Sequence, residues 1–270
     1  VVNGNTVEIG YYEMGDKLEL VRKDDAETAG LIRSKFAIPQ QVVSIENSSV
    51  LIVDDLGRRW RLPLGDKAYT SLTNEGQLRI CREVATERDL FSCMGTFYEL
   101  PAENADGYAK IRPVSTHNYR INDYASYRGM LALTGVNPEE GKDNEHVIVS
   151  NDGKAAVWVG VIDDLWQLGK PIGKGGPWKD TSVKAGIPSD PYLIGFYDRK
   201  KLTLSHQSAD DITFTIEADP TGNGDWMEYM VRKVKAGEKW TYEFPAEFQA
   251  RWIRFSTDED TKATAWLEYK

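Results

Sequence analysis

The sequence predicts an all-β protein: propeller-like blades, incomplete as a ring within this chain, followed by a small antiparallel β-sandwich. Three observations predict it. Short Val-, Ile- and aromatic-rich runs separated by Asn/Asp/Gly turns recur over the first part of the chain. Clean two-residue alternation takes over towards the C-terminus. Helical periodicity is weak throughout; 81–90 is the best helix candidate, and a short one.

Taken in order, 41–46 and 49–54 are strands joined at Asn47-Ser48, a hairpin turn. The chain turns through Gly57 into Trp60-Arg61-Leu62-Pro63. A short strand at 96–100 is stopped by Pro101. The apolar run 130–133 is a buried strand. Segment 146–150 leads through Asn151-Asp152-Gly153 into 155–162, a second hairpin. Three stretches share one plan of apolar strand, Asp/Asn-Gly turn and aromatic strand: VLIVDDLGRRWRLPL, IVSNDGKAAVWVGV and, more loosely, 97–113. Such modules suggest blades, and three cannot close a ring of about four to eight. The expectation is therefore part of a longer polypeptide, or missing strands supplied by the first forty residues.

Blades are assigned to 1–168 and an irregular Gly/Pro-rich connection to 169–195. The sandwich is assigned to 196–270, where Leu202/Leu204 and Ile212/Phe214/Ile216 alternate with polar residues. The strand pattern continues at 240–244, 252–256 and 263–269.

Composition narrows the function. The chain has 270 residues, a formal net charge of −9 and 41% hydrophobic residues. No basic face offers itself to a phosphate backbone, so nucleic acid is not an expected partner. No apolar run is long enough for a membrane-spanning helix. Cys81 and Cys93 cannot form a disulfide framework; they are either one cross-strand bridge or two buried thiols. The chain opens at Val1, and the expected location is extracytoplasmic, with a leader outside this sequence.

The run THNYRINDYASYRGMLAL, 116–133, is the densest chemical cluster. His117, Arg120, Asp123 and Tyr124 are the catalytic candidates: an imidazole or phenol to move a proton, oriented by a carboxylate, with a guanidinium for an anionic sugar. Asn118, Tyr127 and Arg128 are binding candidates beside them. Trp166, Lys170, Trp178 and Lys179 form a second binding cluster, since indole next to lysine suits an acidic sugar. The alternative for each is structural: ion pairs, or aromatics packed between sheets. The doublets Asp54-Asp55 and Asp163-Asp164 point to opposite faces if extended, so neither is a ready acid/base pair. Asp163-Asp164 reads better as a turn cap. No metal-ligand spacing involves His117, His146 or His206. No cofactor is expected. Structural calcium is conceivable at Asn151-Asp152-Gly153 or 221–225, which also read as plain turns. No dinucleotide or phosphate-loop fingerprint and no nucleophile elbow occurs.

The phrases CREVATERDLF, GTFYELPAENADGYAKIRP, STHNYRINDYASYRGML, DDLWQLGKP, GGPWKD and SDPYL resemble a family of large secreted proteins from polysaccharide-degrading bacteria, Bacteroidetes among them. The resemblance covers nearly all of the chain from about residue 30. It implies the C-terminal part of a longer polypeptide, late propeller-like blades and then a small β-sandwich, in a setting of glycan degradation. It carries over no catalytic residue. The expected partners are a polysaccharide or oligosaccharide and the remaining part of the same polypeptide or a partner chain. Three functions fit: a glycoside hydrolase or polysaccharide lyase acting on an acidic glycan, a non-catalytic glycan-binding module, or a structural fragment.

Overall fold

Alternating apolar residues on both sides of a strand require a partner layer on each side, and that requirement organises the molecule. In the computed structural model, residues 2–3, 6–7, 10–35, 43–66, 80–83, 88–101, 105–117, 119, 121, 124–139 and 143–270 are described, without the side chains of 2–3, 6–7, 32–35, 80–83 and 88. The protein is all-β, as the sequence predicts, and none of its described sheets closes on itself. Two four-stranded antiparallel sheets precede a two-sheet sandwich.

The first blade-like sheet is a meander of Ile80–Glu83, Arg88–Cys93, Thr96–Leu100 and Arg112–Thr116. Its residues feed two cores in turn. Leu90 and Phe97 face the second sheet, while their neighbours Phe91 and Tyr98 face the sandwich. The second sheet has the spatial order Tyr124–Tyr127, Met130–Val136, Ala156–Gly160, Val147–Val149. Leu131, Leu133 and Trp158 pack on the first sheet; Met130, Ala132, Val157 and Val159 pack on Leu20 of an N-terminal hairpin, Tyr11–Met14 with Leu20–Lys23. The layers therefore run hairpin, second sheet, first sheet, sandwich.

The helix expected at 81–90 is not formed. Ile80–Glu83 and Arg88–Cys93 are paired strands, with Cys81 opposite Leu90. Burial of Leu90 and Phe91 on opposite faces demands the two-residue period of a strand. Cys93 is a free buried thiol, pushed up to about 12 by burial, so the cross-strand bridge is absent. A short helix, Ala26–Lys35, occurs where none was expected. Asp25 starts it by accepting the Glu27 and Thr28 N–H groups at 3.0 and 3.1 Å.

The sandwich is larger than the sequence indicates. Its small sheet has the order Gly173–Val183, Thr261–Tyr269, Lys200–His206, Trp240–Glu243. Its large sheet has seven strands: Met227–Val234, Ile212–Asp219, Trp252–Thr257, Tyr192–Leu193, Arg59–Leu62, Val50–Val53, Val43–Ile45. The predicted hairpin at 41–54 thus exists but joins the sandwich, not a blade. Arg61 pairs in parallel with Tyr192, so one sheet crosses the expected boundary at 169–195. Buried Arg61 fastens this junction through Asp190 at 2.7 Å, Glu46 at 2.7 Å and Ser49 at 2.7 Å.

The 169–195 connection is also not irregular throughout: Gly173–Val183 is an eleven-residue strand. Its glycines serve close approach. A Cβ on Gly176 would lie 1.8 Å from the Ala265 carbonyl oxygen, and one on Gly175 would lie 2.4 Å from that of Ser48. The strand shifts register between Gly175 and Trp178, where Pro177 needs no ladder donor. Gly176→Ala is expected to lower the thermal unfolding midpoint clearly, because two backbones must part. A calorimetric midpoint equal to that of wild type would refute this packing.

A 3-10 turn, Gly107–Lys110, docks the first sheet's connection onto the sandwich. The Lys110 ammonium donates to Thr221 O at 2.7 Å and to Asn223 Oδ1. The loop oxygens considered at 221–225 for calcium therefore hold an ammonium. Asp219, 1% exposed, shapes that loop by accepting the N–H groups of Thr221, Gly222 and Gly224. The other turn is organised by Asp152, which accepts from the Ser150 hydroxyl at 2.6 Å and the Lys154 N–H at 3.1 Å; these bonds, the Ser150 one foremost, depress its pKa.

Candidate functional site

The described residues of the 116–133 run do not gather at one open rim. The ladder of Arg112–Thr116 continues one residue further, since the His117 N–H donates to Gly95 O at 2.8 Å. That places the His117 side chain between the two four-stranded sheets, 1% exposed and 4.9 Å from the Phe97 ring. The Tyr119 N–H donates to its Nδ1 at 3.3 Å. Burial lowers the imidazole pKa to about 4. His117 is therefore a neutral core residue near pH 7, and the solvent-facing general acid or base expected of it is not what the structure shows.

Tyr124 is likewise internal, 3% exposed. Its hydroxyl donates to Leu90 O at 3.0 Å and accepts the Ser92 N–H at 3.1 Å, which sews the two sheets together. Arg120, Asp123 and Asn118 lie outside the described residues. Arg128 and Gly129 form the two-residue turn between Tyr127 and Met130, with φ of 50° and 77°. Positive φ at both positions is the turn that matches strand twist, which Gly tolerates without strain. The Arg128 side chain pairs with Asp16 across to the N-terminal hairpin. The Tyr127 hydroxyl donates to Met14 O at 3.2 Å in the same contact. Both are hairpin anchors.

The second cluster also separates. Trp178 is 6% exposed and packs 6.3 Å from Phe255, because its strand is part of the sandwich; it offers no platform. Lys179 lies 5.0 Å over the Trp266 ring, and Lys170 pairs with Asp198 at the surface. Trp166 is different: it is 60% exposed.

Trp166 stands on a 3-10 helix, Ile162–Leu168. With three residues per turn, Ile162, Leu165 and Leu168 share the inward face, and Asp164 and Gln167 share another. Asp164 caps the turn by accepting the Val161 N–H at 2.8 Å, in line with the expected role of the Asp163-Asp164 doublet.

Asp164 and Gln167 open onto a cleft of ≈ 340 Å³, lined also by Tyr119, Asn144, His146, Trp158 and Leu168. Its polar groups are held in place by one another. Asn144 Nδ2 donates to the Tyr119 hydroxyl at 3.2 Å, and Asn144 Oδ1 accepts the His146 N–H at 2.9 Å. His146 stacks on Trp158 at 5.0 Å and bonds Val159 O through Nδ1 at 3.0 Å. A carbonyl only accepts, so Nδ1 carries a proton, which leaves Nε2 as the ring nitrogen for a ligand. The cleft thus offers a phenol, an imidazole, a carboxylate and amides, and the exposed indole of Trp166 stands on another face of the same 3-10 helix. Sequence reasoning missed Tyr119, Asn144, His146, Asp164 and Gln167 as a group, because they come from three separate segments. The available signals were the Asn144-x-His146 turn and the three-residue period that leaves Trp166 outside. Among the described residues no group of three or more His, Cys, Asp and Glu side chains has a metal-binding arrangement.

The fold and cleft define a β-layered protein whose two four-stranded sheets stack against a sandwich, with a hydrogen-bonding cleft on the second sheet. No family model and no curated protein matches the chain. Solved structures with partial likeness include PirA, at 13% identity over 37% of this chain and 84% of that one, with a TM-score of 0.20. A CBM4 structure matches at 14% identity over 58% and 76%, with a TM-score of 0.19. A Bombyx mori GH32 β-fructofuranosidase in complex with sucrose matches at 10% identity over 84% and 62%, with a TM-score of 0.21. Likenesses this slight carry no argument about this chain. Among the described residues no helix is long and apolar enough to cross a membrane.

Proposed function

We propose that this chain is the glycan-binding part of a carbohydrate-active extracytoplasmic protein, and that the cleft between Tyr119, His146 and the 3-10 helix bearing Trp166 seats a sugar residue. The reading rests on a pre-organised cleft of mixed donors and acceptors, one wall of which is the 3-10 helix that also carries the 60% exposed indole of Trp166. Sugars present an apolar ring face and a rim of hydroxyls that both donate and accept, so the polar groups of Tyr119, His146 and Asp164, with an exposed indole on the adjoining helix face, suit them. A binding role is favoured over glycoside hydrolysis or lyase chemistry by the internal engagement of His117 and Tyr124. It is favoured also by Asp164 being the cleft's sole described carboxylate, with Oδ2 committed to its helix cap.

The test is affinity electrophoresis across a panel of neutral and acidic polysaccharides. Trp166→Ala and His146→Ala are expected to weaken retardation by the cognate glycan about tenfold each, one aromatic or hydrogen-bonding contact being worth about 1.4 kcal/mol. His117→Asn is expected to leave it unchanged. Mobility of Trp166→Ala identical to wild type in every gel that retards wild type would remove the cleft from the interaction. Release of reducing ends or of an unsaturated product by the intact protein would restore the enzymatic reading.

A further inference from the structure

We propose that the end of the sandwich around Lys200 is an oxyanion site, shaped for the carboxylate or sulfate group of an acidic sugar. In Lys200–His206 the inward positions are Lys200, Leu202, Leu204 and His206, all buried. Alternation calls for an apolar residue at the first of these, and the chain places an ammonium there, 5% exposed. An ammonium has three donors. Among the described residues it makes one long hydrogen bond, to Phe248 O at 3.5 Å. Buried charges are ordinarily paired; burial lowers this lysine's pKa, and the charge of nearby Asp198 offsets that only in part.

Three acids also line this end of the sandwich, Asp198, Glu243 and Glu268. Asp198 is held by Lys170 at 2.5 Å. Glu243 and Glu268 both stand opposite Lys201 in the strand register. A cleft of ≈ 270 Å³ opens beside Lys200, with Arg199 and Lys270 on its wall and Phe244 as an apolar surface. Arg199 and Lys270 are fixed there by reciprocal backbone bonds of 3.0 and 3.1 Å. An incoming carboxylate or sulfate would give the buried ammonium the charge-assisted bonds that the fold leaves out, with the sugar ring against Phe244. The choice of a sugar as carrier rests on the carbohydrate reading above. The anion site itself does not, and it lies on the sandwich, apart from the cleft on the second sheet.

The experiment is an NMR titration of the full chain, following backbone amides, with sodium glucuronate, sodium sulfate and glucose in parallel. Glucuronate or sulfate is expected to shift the amides of Arg199, Lys200, Phe244 and Lys270, while glucose leaves them in place. Lys200→Met is expected to weaken that response about tenfold or more, while Trp166→Ala leaves it intact. Removing an unpaired buried charge is not expected to lower the thermal midpoint, which shows that the variant is folded. A response to sulfate without glucuronate keeps the anion site and overturns the sugar acid as its ligand. No shift at these amides with either anion, or equal binding by Lys200→Met, overturns the proposal.

Discussion

Acidification from neutral pH towards pH 4 is expected to weaken the fold by about 3 kcal/mol through His117 alone. Its pKa falls from the ordinary 6.5 to about 4 because burial between the sheets disfavours the imidazolium. The sign follows from proton counting. Between these two values the unfolded chain binds a proton that the folded chain refuses, so stability rises with pH across the window. It is fully present above about 6.5, is lost progressively as pH drops, and the loss saturates below about 4. Each pH unit within the window is worth ~1.4 kcal/mol, which gives the total. Protonation also ends Nδ1's role as acceptor for the Tyr119 N–H, 3.3 Å away. Urea unfolding of wild type and His117→Asn at a series of pH values checks this. Asn keeps an acceptor and cannot titrate. The difference between the two curves isolates His117 from carboxylates such as Asp54 and Asp152, whose depressed pKa values act lower on the scale. Parallel curves across the window would show that His117 is not buried as described.

Trp252→Ala is expected to cost about 4 kcal/mol, within the usual range for emptying a buried indole site. Trp252 is fully buried in the large sheet, its ring centroid 4.9 Å from that of Trp60. Its Nε1–H donates to Ala109 O at 2.8 Å, on the 3-10 turn that docks the first sheet onto the sandwich. Arg251 donates to Lys110 O and Ile111 O beside it, and Lys110 reaches back to Thr221 and Asn223. Removal of the indole therefore opens a cavity and leaves a buried carbonyl without its donor. Trp252→Phe separates the two effects: it fills most of the space and loses the bond, so about 1–2 kcal/mol is expected. Denaturant midpoints with unchanged slopes provide the measure. A loss below about 1 kcal/mol for the alanine variant would show that this seam is not a cooperative part of the fold.

The alternation in Ile212, Phe214 and Ile216 was legible as a half-buried strand, and the turn at Asn151-Asp152-Gly153 as a hairpin, since both signals are local. Gly173–Val183 was not legible. Glycines that imply loop on propensity grounds are present because Ala265 and Ser48 lie against the backbone, and those neighbours are distant in sequence. Leu90-Phe91 misled in the other direction: a strand buried on both faces has no visible period, so a short helix seemed to fit. In the candidate site, Trp166 was named as a binding candidate and is exposed. Trp178 carries the same residue type in a similar local setting and is buried, since exposure is a property of the layer above a residue.

The sequence by itself determined that the chain is β and where hairpin turns such as Asn47-Ser48 and Asn151-Asp152-Gly153 fall. Those properties depend on side-chain period and on turn geometry over a few residues. Only the tertiary structure decided that His117 and Tyr124 are internal ties, that residues 43–62 complete the sandwich, and that Tyr119, Asn144, His146 and Asp164 share one cleft. The physical reason is that burial and side-chain encounter depend on how sheets stack, and the stacking is set by apolar faces contributed from segments far apart along the chain.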